Sequence, residues 1–390
     1  MTRYVLRRGA GSLVTLFLFL TAVFFLVQII VPEDFTVQFA LGMNAAQREA
    51  LREELGLNLP LWQQYINWIG DFITGDLGTS FYGNDVIELL KGTLPLSMLL
   101  FIPGIALAYI LGLRLGKFTG WRSPKILSGA TTLSGLALFT SFPPWLAFLI
   151  AYIIGRRLGV QRAVFGNPAG HFDPRLWSQI DLEPEAVASR MLLTMAVLVG
   201  GLALLNWQLV KRRGRGIPLL LGIIFVGGLS FLIWRFWGFG PQAIDLATIA
   251  SVPMLVFILL TFGETMLIMR TSLHDEHNKE YVNVARAKGL PESIVRDKHA
   301  SRNAILPVVS RFVISLPFIL TGIVIIEDVL EWPGVGSSLF NSLYQQDMPM
   351  VMMLFLLIGL VTLVARLVLE VVLAIMDPRI RVTETQETRA

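Results

Sequence analysis

Eight stretches of this chain are long and apolar enough to cross a bilayer, and that repetition constrains the fold more than any single motif. A spanning helix needs about 20 apolar residues, because the hydrocarbon layer is about 30 Å thick and a helix rises about 1.5 Å per residue. Residues 9–31, 94–113, 126–154, 191–210 and 217–234 meet this without a charge. Residues 246–269 carry Glu264, residues 304–326 carry Arg311, and residues 351–376 carry Arg366 and Glu370. Only 15% of the 390 residues are charged and the mean hydropathy is +0.65, where a soluble domain has about a quarter charged. Backbone polar groups in hydrocarbon must be satisfied within the segment, so the expected fold is an all-α polytopic membrane protein.

Basic residues set the expected orientation. With the N-terminus cytoplasmic, 21 of the 32 lysines and arginines fall inside, nine outside and two within spans. Both termini are then expected in the cytoplasm. The first apolar run is longer than a signal-peptide core and lacks a small-residue cleavage site near Pro32, so it reads as a retained span. The net charge of +4 reflects basic loops rather than nucleic-acid binding. The absence of cysteine excludes disulfide frameworks and thiolate metal sites.

The organisation follows from these runs. Residues 1–31 are the first span and 32–93 an external amphipathic segment. Within it Asn44 and Gln47 suit a capping box, Gly56 suits a helix end, and Trp62, Tyr65 and Trp68 suit a helix lying at the interface. Residues 94–161 are core spans, with Pro143 and Pro144 breaking the third. Residues 162–245 form an insertion with two further spans around the basic cluster Lys211–Arg215 and read as two peripheral helices against lipid. Residues 246–382 resume the core around the longest cytoplasmic loop, 270–303, and 383–390 are a tail.

That loop is rich in charge of both signs. It reads as a short helix from Tyr281 to Lys288, a turn at Gly289-Leu290-Pro291, and a second helix from Glu292, with Pro291 in its first turn. A two-helix elbow of this kind is a docking element. Tyr281, followed by Ala285-Arg286-Ala287-Lys288-Gly289 and then Arg302-Asn303 and Pro307, is similar to the cytoplasmic signature of binding-protein-dependent ABC importer permeases. The spacing from Gly289 to Pro307 resembles the dipeptide/oligopeptide/nickel branch. Asn283-Val284-Ala285 stands where the generic signature has Glu-Ala-Ala. The external Glu327–Gly336 stretch, Met376–Arg381, and Gly75–Ser80 carry the resemblance to both sides of the loop.

The resemblance implies a type I-like permease core of six transmembrane helices, here with two extra helices inserted between the third and fourth. It implies half of a translocation pathway shared with a second homologous permease in the inner membrane of a prokaryote. An extracytoplasmic binding protein would deliver the solute, and two ABC ATPase subunits would bind the elbows and all the ATP. The chain contains no G-x-x-x-x-G-K-[ST] motif, so no cofactor and no catalysis are expected of it. A secondary transporter or channel would explain the spans but predicts inverted repeats, and none is visible. An intramembrane enzyme lacks its motifs. Peptide, nickel, glutathione and oligosaccharide all remain open as cargo.

Three smaller features stand out. Arg311, Arg366 and Glu370 are charges in apolar spans, and read as pathway or gate groups, as a structural pair with Glu370 matched to Arg366 or Arg311, or, for Arg311, as a side chain snorkelling from near the cytoplasmic end. His274 and His277 flank Asp275-Glu276 and read as a solvated face rather than a metal site. Trp332-Pro333-Gly334 reads as a tight external turn, with a family-derived role in probing the binding protein as the sharper alternative.

Overall fold

A computed structural model describes residues 2–30, 35–39, 42–76, 78–121, 125–158, 172–213 and 216–376. Side chains of a few residues inside these helices, Glu370 among them, lie outside the described set, as do residues 377–390 and hence the tail. Among the described residues everything is helix, turn or loop apart from one isolated antiparallel bridge between Thr79 and Asp85.

Six helices have the length and composition of membrane spans: α1 (Thr2–Ile30), α4 (Val86–Trp121), α8 (Pro184–Arg213), α9 (Leu219–Phe236), α10 (Gly240–Glu276) and α15 (Met348–Met376). Two bent pairs raise the total to eight if each is one span. The first pair is α5 (Lys125–Phe139) with α6 (Pro143–Leu158), turned by 110°. The sequence suggests a kinked span here, and the turn is much sharper. Pro143 opens α6, where its missing N–H is no loss, so the chain changes direction between two complete helices. The second pair includes α13 (Ser301–Val329), with a bend of 57° between Ser315 and Ile319.

The centre of the molecule is the pairing of α4 with α10. Gly104, Ala108, Gly112, Gly116 and Gly120 recur every fourth residue on α4, and Ala108 is fully buried. A Cβ at Gly112 would lie 2.7 Å from the Phe262 carbonyl oxygen. One at Gly116 would lie 2.8 Å from that of Met266, and one at Gly120 2.7 Å from that of Arg270. Membrane helices have no hydrophobic force between them, so backbone approach over small residues supplies their packing. α5 crosses the far side of α10 the same way, a Cβ on Gly263 falling 2.2 Å from the Gly135 carbonyl oxygen. The main core around this pair buries Leu100, Ala147, Ala188, Phe239, Leu246 and Trp332.

The external segment folds as α2 (Ala45–Glu54) and α3 (Leu61–Thr74). Asn44 and Gln47 form the capping box, and Gly56 follows α2 at φ +68°. Tyr65 and Trp68 of α3 pack edge-on and tilted against Phe24 of α1, at 5.3 and 6.0 Å. The segment is pinned further along by buried Asp347, which accepts from the Ser80 hydroxyl and from the Phe81 amide at 3.1 Å.

The inserted helices α8 and α9 are peripheral over most of their length, with Leu204, Trp207, Leu220 and Ile224 exposed. Their outer ends are not. Val187, Ala188 and Met191 of α8 are buried in the main core. The short helix α7 (Pro174–Trp177) ties in above them: Trp177 donates to Asp245 at 2.9 Å and Gln242 donates to the Leu176 carbonyl at 2.9 Å. At the other end Asn206 accepts from the Ile217 amide at 2.8 Å and closes the hairpin.

Candidate functional site: the elbow and the charges within the spans

α10 ends at Glu276, and the chain turns back into α11 (Glu280–Ala287). Gly289 then takes φ +73°, a left-handed position that any Cβ would strain, and its amide donates to the Arg286 carbonyl at 2.9 Å. Pro291 caps α12 (Glu292–Ile294) rather than sitting inside it, and a six-residue π turn, Val295–Ala300, leads into α13. The second arm of the elbow is thus the root of a membrane span. Movement of the elbow is movement of that span.

The inner face of the elbow is apolar. Val282, Ala285, Val295 and Ala300 are buried against Met269, Leu273, Ala304 and Val308. Ala285 is therefore a packing residue. Two polar clusters lock this face. In the first, Glu276 accepts from Lys279 at 2.6 Å, from the Tyr281 hydroxyl and from Asn303. Asn303 also bonds Tyr281. Burial and the neighbouring Glu276 carboxylate push the Tyr281 phenol up to about 12, so it stays a neutral donor at physiological pH. Two signature residues, Tyr281 and Asn303, thereby join the first arm of the elbow to the start of α13.

In the second cluster Arg286 spends its donors within the chain. Nε bonds Glu292 at 3.0 Å, Nη1 bonds the His277 carbonyl and Asn283 at 3.1 Å each, and Nη2 donates to His277 Nε2 at 3.0 Å. The guanidinium carbon lies 5.3 Å from the centre of the Trp121 ring, and Trp121 Nε1 donates to the other Glu292 oxygen at 3.0 Å. Trp121 is the last residue of α4, so this cluster fastens the elbow to the glycine-seamed helix at the centre of the fold. His277 lies edge-on to Trp121 at 4.8 Å and hydrogen-bonds Asn278 at 2.9 Å, so it is part of this lock rather than a solvated face. His274 is exposed.

What the elbow presents outward is a small patch. Val284 is 53% exposed, and Ala287, Lys288, Gly289 and Pro291 are exposed beside it. Arg302 and Pro307 are exposed on the first turns of α13. Trp121, Glu292, His277 and Val284 were absent from the sequence-derived set. Only Val284 had a readable signal, an apolar residue three before Ala287 on the polar face of a short helix.

Among the described side chains, the charge pair within the spans joins α13 to α10. Arg311 Nε bonds Glu264 Oε1 at 2.6 Å, and the Ser315 hydroxyl bonds the same oxygen at 3.1 Å. Arg311 is thus paired with Glu264 of α10, and its expected pairing with Glu370 lies outside the described side chains. Sequence spacing could not rank these partners, because the choice depends on which spans touch. Tyr109 of α4 stands at the same crossing, bonded to Thr265 and 4.3 Å from the Phe312 ring. An isolated charge in a span costs about 2.5–3.5 kcal/mol on insertion scales, which explains why Glu264 is given two donors. Arg366 is exposed on α15, and its expected pairing with Glu370 lies outside the described side chains.

Trp332-Pro333-Gly334 does form a tight turn, but it faces inward. Trp332 is 1% exposed, so it is not placed to probe another protein. The turn wraps buried Glu327, which accepts from the Gly336 amide at 2.6 Å and is bonded by Ser97. A Cβ at Gly334 or Gly336 would fall 2.5 or 2.9 Å from Glu327 Oε2.

A bundle of membrane-length helices with a two-arm elbow continuous with α10 and α13 is the architecture of a polytopic membrane protein. The chain belongs to the family described as binding-protein-dependent transport system inner membrane component, whose profile matches residues 112–382. A companion profile for the N-terminal part of such membrane components matches residues 1–95. Over 384 residues the chain is 27% identical to the oligopeptide transport system permease protein AppB of Bacillus subtilis, covering 97% of this chain and 99% of that one. It is 27% identical over 383 residues to the dipeptide transport system permease protein DppB of Lactococcus lactis, covering 98% and 100%. It is 25% identical over 394 residues to DppB of Escherichia coli K12, covering 98% and 99%. The chain is a multi-pass ABC importer permease with the all-α type I fold of that family.

Proposed function

We propose that this permease carries peptides or a closely related small solute, received from an extracytoplasmic binding protein, along a pathway shared with a second homologous permease. The relatives' names, oligopeptide and dipeptide permeases matched over nearly their whole length, support the cargo class. The elbow is the ATPase dock. The observation that carries this is the split of the elbow into a locked inner face and an exposed patch at Val284, Ala287, Lys288, Gly289 and Pro291. ATP is bound by the ATPase subunits, and this chain transmits their closure through Arg286 and Glu292 to α4, and through the continuous second arm to α13. The excess of basic residues around the elbow side supports a cytoplasmic elbow and cytoplasmic termini. Arg302 and Pro307 lie at the root of α13 and act by setting its entry, not by touching the ATPase.

Cysteine placed at Val284 should cross-link to the ATPase in membranes holding the whole transporter, and Val284→Glu should abolish peptide uptake while the permease still inserts. Full uptake by Val284→Glu, or no cross-link in an active transporter, would refute the dock.

A further inference from the structure

We propose that Arg311 is a carboxylate-binding residue of the translocation pathway, taking the terminal carboxylate of a peptide as it passes. This rests on the permease reading above. The Arg311–Glu264 pair is asymmetric. Glu264 lies inside, its side chain 17% exposed, and one of its oxygens accepts from both Arg311 and Ser315. Arg311 lies outward, its side chain 52% exposed. Only Nε is committed to Glu264, and neither Nη has a hydrogen-bond partner among the described residues. The acid is satisfied from within and the pair presents its cationic half to whatever lies beyond.

On this proposal that outward half lies on the translocation pathway. Arg311 stands ten residues into α13, about 15 Å along the helix from its elbow end. Its neighbours in the cluster sit at the same level: Tyr109 and Glu264 are each twelve residues, about 18 Å, from the elbow ends of α4 and α10. Exposed Arg in a span faces a cavity or a partner rather than hydrocarbon. The stripe on α13 that contains it, Pro307, Arg311 and Ile314, is exposed along one face of this chain. A guanidinium held at Nε keeps its Nη groups as a fixed fork, the geometry that accepts a carboxylate in two parallel hydrogen bonds. Glu264 therefore orients the fork, and Ser315 keeps Glu264 in place. Peptides with a free C-terminus carry the matching group. Their amides do not.

The test uses the complete transporter in liposomes, with peptide pairs that differ only in a free or amidated C-terminus and that the binding protein takes with equal affinity. Arg311→Gln should lower uptake of the free acids about tenfold or more and leave the amides unchanged, since a hydrogen-bonded charge partner is lost only for the acids. Arg311→Lys should fall between. Should Arg311→Gln fail to assemble, the double variant Glu264→Gln/Arg311→Gln removes both charges and should show the same acid-selective loss. Equal loss of acid and amide uptake would assign Arg311 to the partner permease or to lipid headgroups and overturn the proposal, as would no loss at all. A wild-type transporter that moves neither form would instead overturn the peptide reading on which the proposal stands.

Discussion

Arg286 illustrates how a signature residue in an exposed elbow can work from the inside. Its guanidinium holds Glu292, the His277 carbonyl and ring, and Asn283, and lies over Trp121. Lysine would keep the charge but lose the planar fork and the ring stacking. Hydrogen bonds to charged groups are worth about 1.5–3 kcal/mol, and Arg286 is partly solvated, so Arg286→Lys should loosen the elbow by the lower end of that range. Proteolysis between Ala287 and Pro291 should then speed up about tenfold, and substrate-stimulated ATPase activity should fall while basal hydrolysis persists. Unchanged cleavage would mean the cluster does not hold the elbow. Gly289 acts at the same scale by backbone alone: no atom lies within 4 Å of a Cβ there, so only its φ of +73° excludes other residues.

At the scale of elements, α4 is the member on which the others converge. Its face of Gly104, Ala108, Gly112, Gly116 and Gly120 lets α10 approach at backbone distance, and its last residue carries the elbow lock. A methyl at Gly116 meets the Met266 carbonyl oxygen at 2.8 Å and the Met269 Cβ at 2.7 Å. Backbone cannot yield as a side chain tip does, so Gly116→Ala should destabilise by about 1–3 kcal/mol. Gly129→Ala on α5, with nothing within 4 Å, should instead stabilise by about 0.5–1 kcal/mol through helix propensity. Thermal denaturation of the two purified variants in one detergent checks the contrast, and equal midpoints would dispose of the seam as the packing element.

Across the whole molecule, the pair α8 and α9 is exposed over most of its length and fastened at one end. With the orientation expected from the basic residues, the turn between α8 and α9 lies on the cytoplasmic side. Arg213→Cys should accordingly react with impermeant thiol reagents only from the cytoplasmic side. Labelling from outside alone would invert the insertion and the core that follows it.

Helix class, the apolar runs and the position of the elbow along the chain were legible in the sequence because hydropathy and charge are local signals, summed over about 20 residues. The capping box at Asn44 and the left-handed Gly289 were legible for the same reason, each fixed by its immediate neighbours. Other features depend on which helices meet. The four-residue spacing from Gly104 to Gly120 marks a packing face in the sequence, but that α10 is the helix packed on it is set only by the fold. The Arg311–Glu264 pair joins residues 47 positions apart, and Trp121–Glu292 joins residues 171 apart. Arg286 reads as a surface charge until α4 is placed beside it. Local chemistry determined the elements and their order. Packing alone decided which charges face inward, because a buried partner is chosen by distance in space and not along the chain.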